Sequence, residues 1–359
     1  MATVTKSIGT AGGRDYSTIT AWEADLAGGS YSSGDAAVGE CYDDSTFDES
    51  FNIDDTGLAH GLISITLKSH SSSLHDGTPD SGVKIKYTGT VSDEVGVYRV
   101  SYDQGTYGSN KVIIEDLEFA EATTTASVNM HLIDCDSQKL IMRRCLINRI
   151  THGGLGNKNL FIFGPDTTAP TLLNTMIFNC GKTTVGGSSN GRMTALYIAG
   201  SNSTISNCTI HNMYDNTGGV QAWGIFAGTA RNCIVTNADV CFQSSVNDAY
   251  NISSDSTADA ATSLANREPL TLYVSTIQGS EDLHLKSGAS ALRRGSDLGT
   301  TNGVNLDING YDRDSNNSHW DIGADQCHAC QISQNGSNQR LSLGFMISHE
   351  IRRFNLTDF

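Results

Sequence analysis

The 359 residues carry 39 acidic against 23 basic side chains, and the resulting net charge of −16 argues against a surface built to track nucleic-acid phosphates or an anionic membrane. Hydrophobic residues make up 38% and charged residues 17%, enough apolar matter for a core and too little charge for a disordered chain. With 37 glycines and only 4 prolines among many Ser, Thr and Asn, the expected class is all-β, short strands joined by tight turns.

The first ten residues, MATVTKSIGT, hold no apolar run of the signal-peptide kind, and no segment has the length of a membrane span. The expectation is a chain made in a cytoplasm, with neither membrane nor nucleic acid as partner; a non-classical export route is the alternative. In STITAWEADLAGG, Thr20 and Glu23 have capping-box spacing, Trp22 and Leu26 stand at i,i+4, and Gly28-Gly29 ends the run. A short helix is predicted there, within an amino-terminal cap over residues 1–40.

Apolar strands follow at LISITL, GVKIKY and VYRVSY, and then a phrase that recurs. KVIIEDLEF, KLIMRRCLI, TLLNTMIF, TISNCTI and TARNCIV align Leu117, Cys145, Met176, Cys208 and Cys233 in one column, at spacings of 28, 31, 32 and 25 residues. Phe119, Ile147, Phe178, Ile210 and Val235 lie two residues later; Ile114, Met142, Leu173, Ile205 and Ala230 lie three earlier. In a flat strand Ile205 and Ile210 would face opposite sides. They share an interior only if the chain turns between them, so Asp116, Arg144, Thr175, Asn207 and Asn232 are read as corner residues, a place that suits Asn and Asp because they tolerate left-handed backbone. A second strand set, MHLID, NLFIF, ALYIA and WGIFA, centres near Ile133, Ile162, Ile198 and Ile225. Strand, variable turn, strand, corner and strand make one rung of a parallel solenoid, rising about 4.8 Å per rung. A β-sandwich is the competing architecture, but it needs hairpins and clean alternation rather than a phase break at one column.

Candidate chemistry is sparse. Asp134 and Asp136 in IDCDSQ share a strand face and are the weak catalytic candidates; paired carboxylates serve glycoside hydrolysis, and turn formation is the plainer reading. Insertions after the column strand (THGGLGNKN, CGKTTVGGSSNGRM, HNMYDNTGGVQAW) would project from one face, with His152, Lys182, Arg192, Tyr214, Asp215 and Trp223. Arg192, Tyr214, Asp215 and Trp223 form the glycan-binding candidate, since rings beside Arg and Asp suit sugar stacking and hydroxyl hydrogen bonds. The oxygen-rich stretch from Asp312 has Asn317 and Gly323 where a calcium hand needs Gly and Glu, so no metal and no cofactor is expected.

Nine cysteines leave at least one unpaired within the chain, and Cys327 and Cys330 form a lone C-x-x-C read as tail thiols. Beyond it QRLSLGFMI alternates Leu341, Leu343, Phe345 and Ile347, an apolar strand in a 327–359 extension that wants a partner.

EDLHLKSGASALRRGSDLG followed by LDINGYDRDSNNSHWDIGAD, with GRDYSTITAWEADL at the other end, resembles right-handed parallel β-helix proteins of the pectin-lyase-like superfamily. It is similar to phage-associated and bacterial members whose closing segment runs Asp-x-x-Gly-x-x-Arg, then Asp-Ile-Gly-Ala; here Asp307, Gly310, Arg313, then Asp321 to Ala324. Leu292-Arg293 and Asp325-Gln326 depart from that pattern, and the family's glycosidase motifs are absent. The resemblance implies a right-handed β-helix over 41–326; read physically, Arg313 and Asp321 form a structural cap in which Asp321 is expected to pair with Arg313 and to satisfy turn amides as the last coil closes. The resemblance further implies a non-enzymatic phage virion protein (spike, fibre or capsid decoration) that self-associates, with the trimer as the common form of such spikes, beside other virion proteins and host glycan. A polysaccharide lyase or glycoside hydrolase on the same scaffold is the alternative, and a bacterial adhesin a third.

Overall fold

A computed structural model describes residues 2–54, 56–89, 97–101, 111–124, 130–135, 140–152, 158–163, 170–183, 193–198, 203–216, 221–243, 247–313, 319–327 and 330. The chain divides into two units, Met1–Cys327 and His328–Phe359. Of the second, only residue 330 is described, so the predicted strand around Leu341–Ile347 lies outside the described residues.

Three parallel sheets account for nearly all the described strands of the first unit. The first runs Thr3–Ile8, Ala36–Cys41, Ser64–Ser69, Lys111–Glu115, Leu140–Arg143, Thr171–Leu173, Thr204–Ser206, Thr229–Arg231 and Asn247–Ala249. The main path of the second runs Phe47–Asp48, Lys84–Lys86, Glu118–Ala120, Leu146–Asn148, Met176–Lys182, Thr209–Asp215, Ile234–Thr236 and Ile252–Ser253. The third runs Phe51–Ile53, Tyr98–Val100, Met130–Cys135, Lys158–Phe163, Met193–Ile198, Ala222–Ile225 and Val240–Phe242. Each sheet keeps sequence order, and the chain visits the three in rotation, so every strand bonds to its counterpart one visit earlier and one later. The predicted strands at 62–67, 82–87 and 97–102 supply one such visit to each sheet.

Apolar files hold the stack together. In the first sheet Leu67, Ile114, Met142, Leu172, Ile205 and Ala230 are successive register partners, all buried. In the third sheet Phe51, Tyr98, Ile133, Phe161, Leu196, Ile225 and Phe242 are successive register partners, one or two residues before the predicted strand centres near Ile162 and Ile198.

The column needs a similar correction at one rung. The amides of Leu146, Met176, Thr209, Ile234 and Ile252 donate to the carbonyls of Leu117, Cys145, Thr175, Cys208 and Cys233 at 2.8–3.0 Å, so Thr175, not Met176, occupies the third place. The corner decides this. Asp116, Arg144, Asn174, Asn207 and Asn232 have φ of 59°, 50°, 49°, 52° and 55°, so the left-handed residue of that rung is Asn174 and not Thr175. The Thr175 hydroxyl is satisfied inside by the Leu173 carbonyl at 2.9 Å. Met176 and Phe178 face the other side of the second sheet and are buried there too, beneath the segment that follows the last rung. A sheet covered on both faces loses its alternation, so apolar residues alone misplace the register.

A second corner, invisible to the alignment, lies five residues after the first: Glu121, Arg149, Asn179, Asn212 and Asn237 have φ of 53–57°. Side chains ladder along both bends. Arg144 grips Asp116 with two bonds of 2.7 and 2.9 Å, Asn232 Nδ2 donates to Asn207 Oδ1 at 3.0 Å, and Asn212 Nδ2 donates to Asn179 Oδ1 at 2.6 Å.

The amino-terminal helix is Ile19–Ala24, capped otherwise than predicted. Thr18 accepts from the Ala21 amide at 3.0 Å, and the Glu49 carboxylate takes the Ile19 and Thr20 amides at 2.8 and 2.9 Å. Trp22 and Leu26 are buried, with Trp22 Nε1 donating to the Tyr31 hydroxyl at 2.8 Å. A Cβ on Gly39 would sit 2.7 Å from the Trp22 ring, so the indole lies flat on the Ala36–Cys41 strand only because that position is glycine.

After the last rung the chain doubles back as a strap. Its antiparallel ribbon, Tyr273–Ser275 with Asp282–Leu285, packs by Tyr273 against His211 and Thr236. The closing residues then run along the first corner: Asn232 Nδ2 reaches the Ser296 carbonyl at 2.8 Å and Asn207 Nδ2 the Val304 carbonyl at 3.0 Å. The closing segment therefore covers the flank of the rungs as well as following their end.

Candidate functional site

Asp134 is nearly buried on the Met130–Cys135 strand, its carboxylate 3.7 Å from His131 Nδ1. Asp136 and Arg192 lie outside the described residues, as do the tips of the three insertions. The side chain of Lys182, expected on the projecting face, is instead buried.

Tyr214 and Asp215 end the Thr209–Asp215 strand, in register with Gly181 and Lys182. The Tyr214 ring lies over Gly181, whose missing Cβ would sit 2.3 Å from it; burial raises the phenol's pKa. Trp223 begins the next visit to the third sheet, where Asp239 accepts from the neighbouring Ala222 amide at 2.7 Å. The Trp223 ring meets Phe226 edge-on at 5.1 Å, and Phe226 stacks on Tyr197 at 5.2 Å and 24°. All three are partly exposed. Tyr197 and Phe226 are not singled out in the sequence; their signal is an aromatic one residue after the register partners Leu196 and Ile225, which only the strand pairing brings side by side.

The closing motif is a buried polar knot. Arg313 is fully buried and donates to the carbonyls of Ala324, Gly323 and Asp321 at 2.6, 3.0 and 3.3 Å, and to Asn174 Oδ1 at 3.4 Å. Its bond to Asp321 is to the main chain. The Asp321 carboxylate accepts the Arg293 and Cys327 amides at 2.6 and 2.8 Å, and burial pushes its pKa up to about 6 despite those bonds. Arg313 and Asp321 thus serve one knot without forming the predicted side-chain pair.

Cys327 and Cys330 are each disulfide-bonded, unlike the free tail thiols expected. Cys41, Cys145, Cys180, Cys208, Cys233 and Cys241 are free and buried. Burial pushes the Cys145 and Cys180 thiols up to about 12, and each donates to the carbonyl two residues back, at 3.3 and 3.2 Å. They pack as small apolar groups rather than as nucleophiles. Among the described residues no cluster of three His, Cys, Asp or Glu side chains could hold a metal, and no helix is long and apolar enough to cross a membrane.

Among the described residues of the first unit the fold is thus predominantly β, with stacked parallel strands and two short α-helices. Set against protein-family models and against characterised proteins, the chain matches none.

Proposed function

We propose that the chain is a right-handed parallel β-helix of the pectin-lyase-like kind, acting as a non-enzymatic surface protein of a phage virion that contacts host glycan. The observation that carries this reading is the aromatic strip Trp223–Phe226–Tyr197, set on a rigid third-sheet face. Rings held by consecutive rungs offer sugar faces an ordered stacking surface at little entropic cost. Tyr214 and Asp215 end the strand that precedes Trp223 in sequence.

Self-association is supported by the strap. Leu270 and Ile277 are each 70% exposed and Val274 57%, an apolar edge beside the ribbon of a kind that marks contact surfaces. Asp134, near His131 and almost shut from solvent, favours a structural role over hydrolysis. The purified chain is therefore expected to be oligomeric by light scattering and to release no reducing ends or unsaturated products from a polysaccharide panel. Ile277→Asp with Leu270→Asp should lower the oligomer's mass without unfolding it. A monomeric wild type would remove the association part, and glycan turnover would replace the reading with the lyase or hydrolase alternative.

A further inference from the structure

A second surface has the shape of a binding site. Outside the first sheet, opposite the buried file of Leu172, Ile205 and Ala230, the register partners Thr171, Thr204 and Thr229 line up, with Ser206 and Arg231 beside them. The strap returns over this face at residues 298–304 and leaves a cavity of about 360 Å3, walled by Leu298, Thr301 and Asn302. That volume falls at the low end of the range for small-ligand pockets.

The wall is fixed before any ligand arrives. Arg143 Nη1 donates to the Asn302 carbonyl at 2.6 Å, Asn174 Nδ2 to the Gly303 carbonyl at 3.3 Å, and Asn207 Nδ2 to the Val304 carbonyl at 3.0 Å. Behind it Leu173, Val304 and Trp320 form a small separate core, with Leu298 packed on it. The floor repeats hydroxyl groups at the strand spacing of about 4.8 Å, comparable with the reach across a pyranose ring between opposite hydroxyls. Hydroxyls both donate and accept, Arg231 adds donors, and Leu298 offers an apolar patch. Such a lining matches a saccharide better than an anion or an apolar ligand.

We infer that this groove, between the Thr171–Thr204–Thr229 file and the 298–304 wall, binds a neutral saccharide of one or two pyranose units. The inference deepens the glycan-binding part of the proposed function and rests on it, but assigns the contact to a face other than that of Trp223.

The test is saturation-transfer NMR and calorimetry on the full chain with methyl glycosides and disaccharides of glucose, galactose, mannose and N-acetylglucosamine. At least one probe should bind saturably, and Thr204→Trp and Thr229→Trp, which fill the groove, should each weaken it by at least about tenfold. Thermal melts confirm that each variant folds, and two variants guard against the loss of either. Leu74→Ser, at an exposed position that lines neither surface, should leave this binding unchanged. Binding lost only in Trp223→Ala would overturn the groove and keep the glycan reading; binding of no probe by any form would overturn both.

Discussion

His284 shows how one side chain secures the strap. It lies between Asp282, 2.6 Å from Nδ1, and Asn309, 2.9 Å from Nε2, against Gly77, where a Cβ would come within 2.6 Å of the ring. Burial alone would lower its pKa; the Asp282 hydrogen bond and the charges of Asp325 and Asp282 carry it up to about 9, and Asp76 is a further carboxylate in its field. Because the folded value exceeds the unfolded value near 6.5, the stabilisation is complete below about pH 6.5 and is lost as pH rises through about 9. Its full size is about 3 kcal/mol. Urea unfolding at intervals from pH 6 to 10 should show that decline, and His284→Gln should flatten it. The corner asparagines permit a second test. Asn207→Gly keeps the left-handed backbone but loses the amide bonds to Val304 and Asn232, for about 1–2 kcal/mol, whereas Asn207→Ala adds backbone strain, for about 2–4 kcal/mol. Denaturation midpoints in that order support the corner; equal midpoints count against it.

At the level of elements, the parity break between Ile205 and Ile210 was enough to place the first corner in the sequence, because only a turn puts both in one interior. The second corner was missed although Asn179, Asn212 and Asn237 stand five residues beyond Asn174, Asn207 and Asn232. Its companions Glu121 and Arg149 have no turn signature of their own. Apolarity misled at TLLNTMIF because the strap buries Met176 and Phe178 on the outer face, while Thr175 hides its hydroxyl within the corner. The strap itself was legible as a closing motif but not as a flank cover, since its partners lie far off in sequence and bind it largely through side-chain amides. Of the three rings in the strip, Trp223 stands out in the sequence by its insertion, but Tyr197 and Phe226 join it only once strands 193–198 and 222–225 are paired. The helix cap offers its own test: Gly39→Ala forces Trp22 or Ile8 aside and should cost about 1–3 kcal/mol, measured by thermal melting, with aggregation rising as the first strand is uncovered.

For the whole molecule, the account rests on the chain returning to the same sheet at every visit. Each rung's ladder bonds then go to its neighbours, and two bends and a strap hold the stack at its flanks. The same repetition would give aromatic rings and threonine hydroxyls a regular spacing. Thr204 and Thr229 are register partners on the exposed face of the first sheet, 25 residues apart in sequence. The most direct measurement is disulfide trapping between them. Adjacent parallel strands lie about 4.8 Å apart, within the Cα range of a disulfide. The double variant Thr204→Cys with Thr229→Cys, oxidised under native conditions and mapped by peptide mass spectrometry, should form a cross-link between positions 204 and 229. Thr204→Cys with Ala230→Cys, one residue out of register and on the opposite face, should not. A cross-link in the second variant and none in the first would contradict the stacking.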